Sequence, residues 1–370
     1  MLIFYERCGF AVKNKGFSPL KYIFCLYVLT RREKNFKMYM EKLLLKVRIT
    51  MYTVGIDLGG TNIAAGICDK DLNIVIKGSV PTKAERDPEL IVKDMAKLVE
   101  DLASEARIRL DEIEYVGIAA PGSVNPDTGV IEYSNNIRME NFPIREIFKK
   151  YLSVGEVYVA NDANAAALGE ALAGSAKGAD VAVMITLGTG VGGGIVIGGK
   201  IFSGGANFSG AELGHTVIVS GGRQCTCGRR GCWEAYSSAT ALAAMTKEKA
   251  VELKLKGIPS LMLADEREDG TYSARAAFSA MKKGDAHAKE VTDAYIHYLA
   301  EGITNIVNIF QPNILCIGGG VCNEKEYLTV PLNEIVERDQ YTRLSKSKTK
   351  IVIATLGNDA GIIGAASLGN

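Results

Sequence analysis

Three cysteines and a histidine in one short stretch form a candidate set of metal ligands. Cys225, Cys227 and Cys232 lie within eight residues, and His215 stands ten positions before the first of them. Three thiolates and one imidazole make a complete tetrahedral set for zinc. Because four protein ligands leave no position for a metal-bound water, the pattern predicts a structural zinc loop. Reduced thiols in a glycine-rich turn are the alternative, but this cysteine spacing rarely serves packing alone.

Polar side chains flank this loop at short range, namely Asn207, Glu212 and Glu234. A metal that orders the loop would also fix the directions of these side chains. We therefore expect a preorganised surface for a polar ligand beside the metal, which acts as a clamp and takes no part in the chemistry.

Two glycine turns follow apolar strands, and each turn carries a threonine hydroxyl, Thr61 or Thr189. The first turn, DLGGTN, spans residues 57–62, and the second, LGTGVGGG, spans 187–194. Such turns offer unshielded backbone N–H groups to phosphate oxygens, so the pair predicts phosphate binding. Neither turn is a Walker sequence, because no GK[ST] follows. We interpret them as one structural element used twice.

Asp57 ends an apolar strand beside the first turn. A carboxylate there is stable only if it is hydrated, capped or facing a cation, so we assign it to a magnesium–phosphate region. The alternative is an aspartate that bonds to its own turn.

Asp162 also follows an apolar strand, with Asn161 and Asn164 beside it. These residues favour the N-cap of a helix, but one of them would suffice for capping. Phosphoryl transfer needs a group that orients the attacking hydroxyl and accepts its proton. Asp162 is therefore the candidate general base.

The composition limits the class of protein. The chain has 370 residues and is 47% apolar, which allows a sizeable core and predicts two lobes. Residues 1–50 hold eleven Lys and Arg against three Asp and Glu, whereas the remainder holds 32 basic and 39 acidic residues. A body of that sign has no electrostatic footprint for nucleic acid. The five other cysteines show no disulfide framework, so we expect a reducing, cytoplasmic location.

Residues 1–50 are expected to be an extension outside the fold. Leu20–Thr30 is apolar but too short to span a bilayer, and no small-residue cleavage site follows it. Met51 opens a stretch that resembles a natural start. A disordered extension, a mis-assigned upstream start and a peripheral membrane tether remain as explanations, and no stable membrane span is expected.

Strands and helices that could position these residues alternate along the rest of the chain. Strands are predicted at Thr53–Asp57, Asn62–Cys68, Leu72–Val80, Tyr115–Ala120, Val157–Ala160, Val181–Leu187, Ile314–Ile317 and Lys350–Leu356. Helices are predicted over Leu90–Ala106, after Asn164, over Glu234–Lys247 and Ala286–Phe310, and after Asp359. Residues 123–145 are expected to be irregular. This alternation implies an α/β fold, in which ligands collect at the loops beyond the strand ends.

Four motifs, in this order, resemble the ROK family of sugar kinases and sugar-responsive repressors, specifically its bacterial glucokinase type. They are GIDLGGTN, NDANAAALGE, LGTGVGGGI and the ELGH…CTCGRRGCWE block, and the match runs from about Thr53 to the C-terminus. The resemblance implies an α/β, two-lobed actin-like ATPase (ribonuclease-H-like duplicated) fold with the zinc loop. It implies a small lobe over 51–160, joined by the C-terminal helix at about 358–370, and a large lobe over 161–357.

The resemblance also implies roles for individual residues. Asp162 matches the catalytic base that takes the proton from the sugar 6-hydroxyl. The residues that match sugar-binding positions are Asn136, Asn161, Asp162, Glu212, His215 and Glu234. The residues that match nucleotide-binding positions are Asp57, Gly59, Gly60, Thr61, Asn62, Thr189, Gly190, Gly318, Gly319 and Gly320. His215 would then serve both the zinc and the sugar through its two ring nitrogens.

The implied function is ATP-dependent phosphorylation of glucose, with ATP, Mg²⁺ and a structural Zn²⁺ and with a homodimer or homotetramer as the assembly. The same chemistry on N-acetylmannosamine, N-acetylglucosamine, fructose or allose is one alternative. A transcription repressor of the family is another, but it needs a helix-turn-helix module ahead of the body. Residues 1–50 lack two clear amphipathic helices with a tight turn.

Overall fold

The computed structural model describes residues 52–370. The expectations for residues 1–50, including the apolar segment Leu20–Thr30 and a start at Met51, lie outside the described residues. Among residues 52–370, no helix combines the length and the apolar character needed to cross a membrane.

The described residues form two five-stranded sheets and one three-stranded sheet. Their strands are β1 (Tyr52–Leu58), β2 (Asn62–Cys68), β3 (Ile74–Pro81), β4 (Ile113–Ala120), β5 (Ser123–Asn125), β6 (Val130–Ser134), β7 (Met139–Phe142), β8 (Glu156–Asn161), β9 (Val181–Leu187), β10 (Val191–Ile197), β11 (Lys200–Ile201), β12 (Ile314–Gly318) and β13 (Lys350–Ile353).

The two large sheets share one arrangement. The first has the order β3-β2-β1-β4-β8, and the second has the order β11-β10-β9-β12-β13. In each sheet, an antiparallel meander of three strands is extended by two strands that run parallel to its first strand. The glycine turns join β1 to β2 and β9 to β10. The prediction that one element is used twice therefore agrees with the strand pairing.

Nine α-helices occur in the described part of the chain. They are α1 (Pro88–Ala106), α2 (Ile144–Tyr151), α3 (Asp162–Leu172), α4 (Glu234–Ser237), α5 (Ala239–Lys256), α6 (Ala276–Met281), α7 (Ala286–Phe310), α8 (Glu326–Asp339) and α9 (Ala360–Ala365). Alternation of these helices with the parallel strands confirms the mixed α/β fold.

Each large sheet packs into its own hydrophobic core. One buried cluster joins the strands of the first sheet to α1 and α2, and another joins the second sheet to α5, α7 and α8. Helices α3 and α9 connect the two halves, because α9 packs on β1 and on α3, and α3 packs on β10. Gly55 makes this packing possible, since a Cβ there would overlap the carbonyl oxygen of Ile362.

Four local predictions differ from the structure. Residues 123–145, expected to be irregular, contain the small sheet β5-β6-β7, whose strands of three to five residues are too short to give a clear period. The second glycine turn is shorter than predicted, because residues 192–194 belong to β10. Two of these glycines let α3 and Leu213 approach the strand, since a Cβ at Gly193 would come within 2.7 Å of Leu213, and one at Gly194 within 2.8 Å of the carbonyl oxygen of Ala163.

One predicted helix and the last predicted strand also differ from the structure. The helix expected over Glu234–Lys247 is two helices, because Ser238 adopts an extended backbone and its hydroxyl caps α5 at the backbone N–H of Ala241. The last strand ends at Ile353, whereas it was expected to reach Leu356.

Candidate active site

The four predicted metal ligands lie together. The ligand atoms of His215, Cys225, Cys227 and Cys232 all lie within 4.8 Å of one another. Cys225 Sγ is 3.7 Å from His215 Nδ1, and Cys227 Sγ is 3.6 Å from Cys232 Sγ. The loop is closed by short antiparallel bridges, including one between Val217 and Cys232.

Glu234 connects this cluster to the second glycine turn. Its Oε1 accepts a hydrogen bond from Thr226 Oγ1 at 3.2 Å and lies 3.6 Å from Cys225 Sγ. Its Oε2 accepts from the backbone N–H of Val191 at 3.0 Å. A Cβ at Gly190 would overlap this Oε2, so glycine is needed there for the carboxylate to reach Val191.

Asp162 begins α3 directly after β8. Asn161, and not Asp162, caps the helix, since its side-chain oxygen accepts from the backbone N–H of Asn164 at 3.1 Å. Asp162 Oδ1 accepts from the backbone N–H of Ala163 at 2.8 Å and from Asn161 Nδ2 at 3.0 Å. Burial raises the pKa of Asp162, and these two hydrogen bonds oppose the rise. Its Oδ2 has no hydrogen-bond partner within residues 52–370.

The charge of Asp162 contributes to raised pKa values at two further carboxylates. Burial, followed by the charge of Asp162, raises the pKa of Asp57 to about 6. Burial raises the pKa of Glu212, His215 opposes this rise, and the charges of Asp162 and Glu234 add to it. The structure therefore brings Asp162, Glu212 and Glu234 into one electrostatic group, with Asp57 on the side of the first turn. Like charges held at one site are typical of functional sites.

The first glycine turn is closed by its own backbone. The N–H of Gly59 donates to the carbonyl of Asn62 at 3.0 Å, and Thr82 Oγ1 donates to the carbonyl of Gly59 at 2.6 Å. Asn136 lies beside the turn, because a Cβ at Gly60 would be 3.7 Å from Asn136 Cβ. Asn136 is exposed, and no hydrogen bond within residues 52–370 joins its side chain to the carboxylate group.

The second turn is held by the start of α5. Ala239 N–H donates to the carbonyl of Gly188 at 2.9 Å, and Thr240 Oγ1 donates to the carbonyl of Thr189 at 2.8 Å. The third predicted turn, Gly318–Gly320, lies alongside, and Gly319 has a φ of +94°. A Cβ at Gly319 would overlap the carbonyl of Leu187, so glycine is required for both reasons.

A cavity of about 500 Å³ opens between the second and third turns. It is lined by Gly188, Thr189 and Gly320 from the turns and by three charged residues that sequence reasoning did not identify, Arg267, Arg275 and Glu324. The two arginines come from an irregular polar stretch without a motif. Glu324 follows the third turn by four residues, and that position is the one signal that could have drawn attention to it.

Comparisons with known proteins identify the family of this chain. The model of the ROK family matches residues 53–370. This chain belongs to the ROK family. The glucokinase of Halalkalibacterium halodurans is 37% identical over 312 residues, which are 84% of this chain and 92% of that protein.

Two solved structures of the same family have the same fold. A ROK family glucokinase from Streptomyces griseus, crystallised with glucose and AMPPNP, is 32% identical with a TM-score of 0.68 and matches 86% of this chain and 98% of its own. The ROK hexokinase from Thermus thermophilus is 33% identical with a TM-score of 0.71 and matches 86% of this chain and 97% of its own. The mixed α/β fold of this chain is therefore that of the ROK sugar kinases.

Proposed function

We propose that this protein is a glucokinase that transfers the γ-phosphoryl group of ATP to the 6-hydroxyl of glucose. The observation that carries the proposal is that Asp162, Glu212 and Glu234 lie close enough for the charges of Asp162 and Glu234 to raise the pKa of Glu212, while Glu234 contacts the second glycine turn. The glucokinases and the hexokinase to which the chain is similar support the same reaction. Kinases for other hexoses and a sugar-responsive repressor have less support from these relatives.

Asp162 is proposed to act as the general base. A hydroxyl that attacks a phosphoryl group must lose its proton, and the acceptor must lie within hydrogen-bond reach. The unpartnered Oδ2 is available for that hydrogen bond, while Oδ1 is held by Ala163 and Asn161. The raised pKa of the buried carboxyl brings its basicity closer to the value that suits proton transfer near neutral pH.

Sugar hydroxyls are proposed to bind to Asn136, Asn161, Glu212, His215 and Glu234. Carboxylates accept hydrogen bonds from hydroxyls strongly, and two of them on one side of a sugar fix its orientation. His215 Nδ1 faces Cys225, so its other ring nitrogen is available for a hydroxyl. These contacts would hold the 6-hydroxyl beside Asp162, so that the reacting groups are already oriented before the reaction.

The Cys and His cluster fits zinc. Bond lengths near 2.0–2.3 Å in a tetrahedron set ligand separations of roughly 3.5–3.8 Å, and the two separations given above, 3.7 and 3.6 Å, agree with that range. We propose that His215, Cys225, Cys227 and Cys232 hold a structural zinc. When bound, zinc would cross-link the loop, and Glu234 would then keep its direction through Thr226 and Val191.

Asp57 fits the magnesium assignment. Its carboxyl is buried beside a like charge, which is the environment that a divalent cation would relieve. When bound, magnesium would neutralise phosphate charge. The backbone N–H groups of the turns at Gly59–Asn62 and Thr189–Gly190 are proposed to contact phosphate oxygens, and Gly318–Gly320 the adenosine side.

We also propose the lobe division that the family resemblance implies. The first lobe spans 51–160, the second spans 161–357, and the C-terminal segment at about 358–370 returns to the first. The separate hydrophobic cores of the two sheets support it, as does the packing of α9 on β1. A cytoplasmic location and a homodimer or homotetramer remain proposals from the family resemblance.

An ADP-release assay over a panel of hexoses, with and without magnesium, tests the function. We expect glucose to have the highest kcat/KM and turnover to require magnesium. A higher kcat/KM for N-acetylmannosamine, N-acetylglucosamine, fructose or allose would replace glucose as the substrate. Absence of turnover with every hexose would overturn the proposal.

A further inference from the structure

Glu324 is the one carboxylate among the residues that line the cavity between the second and third glycine turns. It ends the 3-10 turn Gly320–Glu324, which follows β12 directly. The residue is only 8% exposed. A carboxylate that is buried to this degree requires compensation by a cation or by hydrogen bonds.

Lys282 supplies that compensation from one side. Its Nζ donates to Glu324 Oε2 at 2.6 Å and also lies 4.7 Å from the centre of the Tyr327 ring. Glu324 Oε1 has no hydrogen-bond partner within residues 52–370, and this oxygen is not fully enclosed. Lys282 therefore fixes one oxygen of the carboxylate, and the other oxygen remains accessible. Because Glu324 lines the cavity, this oxygen is the candidate ligand-binding atom.

Positive and negative side chains both line the cavity. Gly188 and Thr189 belong to the turn assigned to phosphate, and Arg267 and Arg275 add positive charge to the lining, which also contains Glu324. Neither arginine forms a salt bridge or a side-chain hydrogen bond within residues 52–370. A triphosphate is attracted to these groups and repelled by Glu324. The part of a nucleotide that faces Glu324 must therefore be uncharged and able to donate hydrogen bonds.

We propose that Glu324 accepts hydrogen bonds from the vicinal hydroxyls of the ribose of ATP and thereby selects ribonucleotides over deoxyribonucleotides. Recognition of ribose hydroxyls by a carboxylate near a phosphate-binding glycine turn has a clear physical basis, because hydroxyls donate and a carboxylate only accepts. Lys282 acts as a positioning residue that holds the carboxylate in place. This inference rests on the proposed kinase function and adds the group that reads the sugar of the nucleotide.

The test compares ATP with 2′-deoxy-ATP in the wild type, in Glu324→Gln and in Glu324→Ala. Loss of a hydrogen bond to a charged group corresponds to roughly a tenfold or larger loss of affinity. We expect the wild type to favour ATP over 2′-deoxy-ATP by about tenfold in kcat/KM, and we expect Glu324→Ala to bring this ratio close to one. Glu326→Gln, an exposed position two residues away, is the matched control and keeps the wild-type ratio.

Inosine triphosphate separates ribose from base recognition, since it lacks the exocyclic amino group of adenine. A change in the ratio of ATP to inosine triphosphate in Glu324→Ala, with an unchanged ratio of ATP to 2′-deoxy-ATP, would overturn the ribose assignment. The assignment is also wrong if both variants keep the wild-type preference for ATP over 2′-deoxy-ATP. If Glu324→Ala fails to fold, Glu324→Gln carries the test, because its amide keeps the shape of the side chain.

Calorimetric titration of the wild type and the variants with ATP and 2′-deoxy-ATP repeats the comparison without turnover. An enzyme that binds ATP through Glu324 but phosphorylates no hexose would refute the proposed function and leave this inference standing. An active glucokinase whose nucleotide preference is insensitive to position 324 would refute this inference and leave the proposed function standing.

Discussion

The two glycine turns have the same length and join equivalent strands, yet they present different chemistry. Three residues separate β1 from β2, and three separate β9 from β10. The second residue before the first turn is Asp57, whose pKa is raised to about 6, whereas the equivalent residue before the second turn is the neutral Thr186. The second turn instead has a carboxylate from outside the sheet, Glu234, against Gly190.

This comparison indicates how a duplicated element acquires two tasks. The first turn supplies a charge from its own strand and suits a cation and phosphate. The second turn receives its charge from the Cys and His loop, so it suits a hydroxylated ligand beside the phosphate that its backbone is proposed to contact. Asp162 lies between them, because it follows the last strand of the first sheet and begins the helix that packs on the second.

Replacement of Asp162 by Asn tests the residue shared by the two halves and has the largest expected effect. The amide keeps the shape of the side chain but cannot accept the proton, so we expect kcat to fall by about 10²–10⁴. Glucose affinity, measured by calorimetry, and the melting temperature should stay close to wild type. A variant with near wild-type kcat would refute the assignment of the base.

Replacement of Cys227 by Ser tests the half that depends on the metal loop. We expect loss of zinc, measured by elemental analysis, and a fall in activity of about tenfold or more. Hydrogen exchange should quicken around residues 213–236 and stay unchanged in β1 and β2. Full activity in a zinc-free preparation, or an equal loss of protection in both halves, would contradict the clamp.

A pair of glycine variants sharpens the comparison of the turns. In Gly190→Ala the new methyl group must displace Glu234 from Val191, so we expect the KM for glucose to rise by about tenfold. In Gly60→Ala the methyl group has room, with its nearest neighbour at 3.7 Å, and the KM for glucose should not change. Equal effects of the two substitutions on this KM would mean that Glu234 does not orient the sugar.

Replacement of Asp57 by Asn has a smaller expected effect than the substitutions above, and this effect is on the free energy of unfolding. Because its folded-state pKa is about 6, against an ordinary value of 3.8, the folded protein holds this proton more tightly than the unfolded chain does. The stability that this group contributes is present below pH 4 and is lost as the pH rises to about 6. In magnesium-free buffer at pH 7, Asp57→Asn should raise the free energy of unfolding by on the order of 2 kcal/mol.

The control for this measurement is Thr186→Ser at the equivalent position of the second half, which should leave the pH dependence of stability unchanged. Chemical denaturation at pH 5 and pH 7 provides both values. Equal changes in stability between pH 5 and pH 7 in the wild type and in Asp57→Asn would show that Asp57 does not hold the raised pKa.

Much of the arrangement could be predicted from the sequence, because its most informative residues are local in the chain. The spacing of Cys225, Cys227 and Cys232 already limits them to one small volume, and the strand–glycine–strand pattern predicts each hairpin. The family membership is confirmed. The roles of the individual site residues stay predictions, although the structure gathers Asp162, Glu212 and Glu234.

Other features depend on contacts that no local pattern contains. The glycines at 192–194 resemble part of a loop in sequence, but they pair with β9. Only the approach of Leu213 and α3 explains why glycine is needed at positions 193 and 194 of this strand. Glu324 is one acidic residue among many until its burial and its pairing with Lys282 are known. Arg267 and Arg275 lie far from every motif, and folding alone brings them to the cavity.

The position of glucose in a crystal of the wild-type protein with glucose and a non-hydrolysable ATP analogue tests the central claim most directly. We expect the 6-hydroxyl within hydrogen-bond distance of Asp162, with other hydroxyls of the sugar bonded to Glu212 and Glu234. Glucose bound away from Asp162, or oriented with a different hydroxyl toward it, would contradict the account.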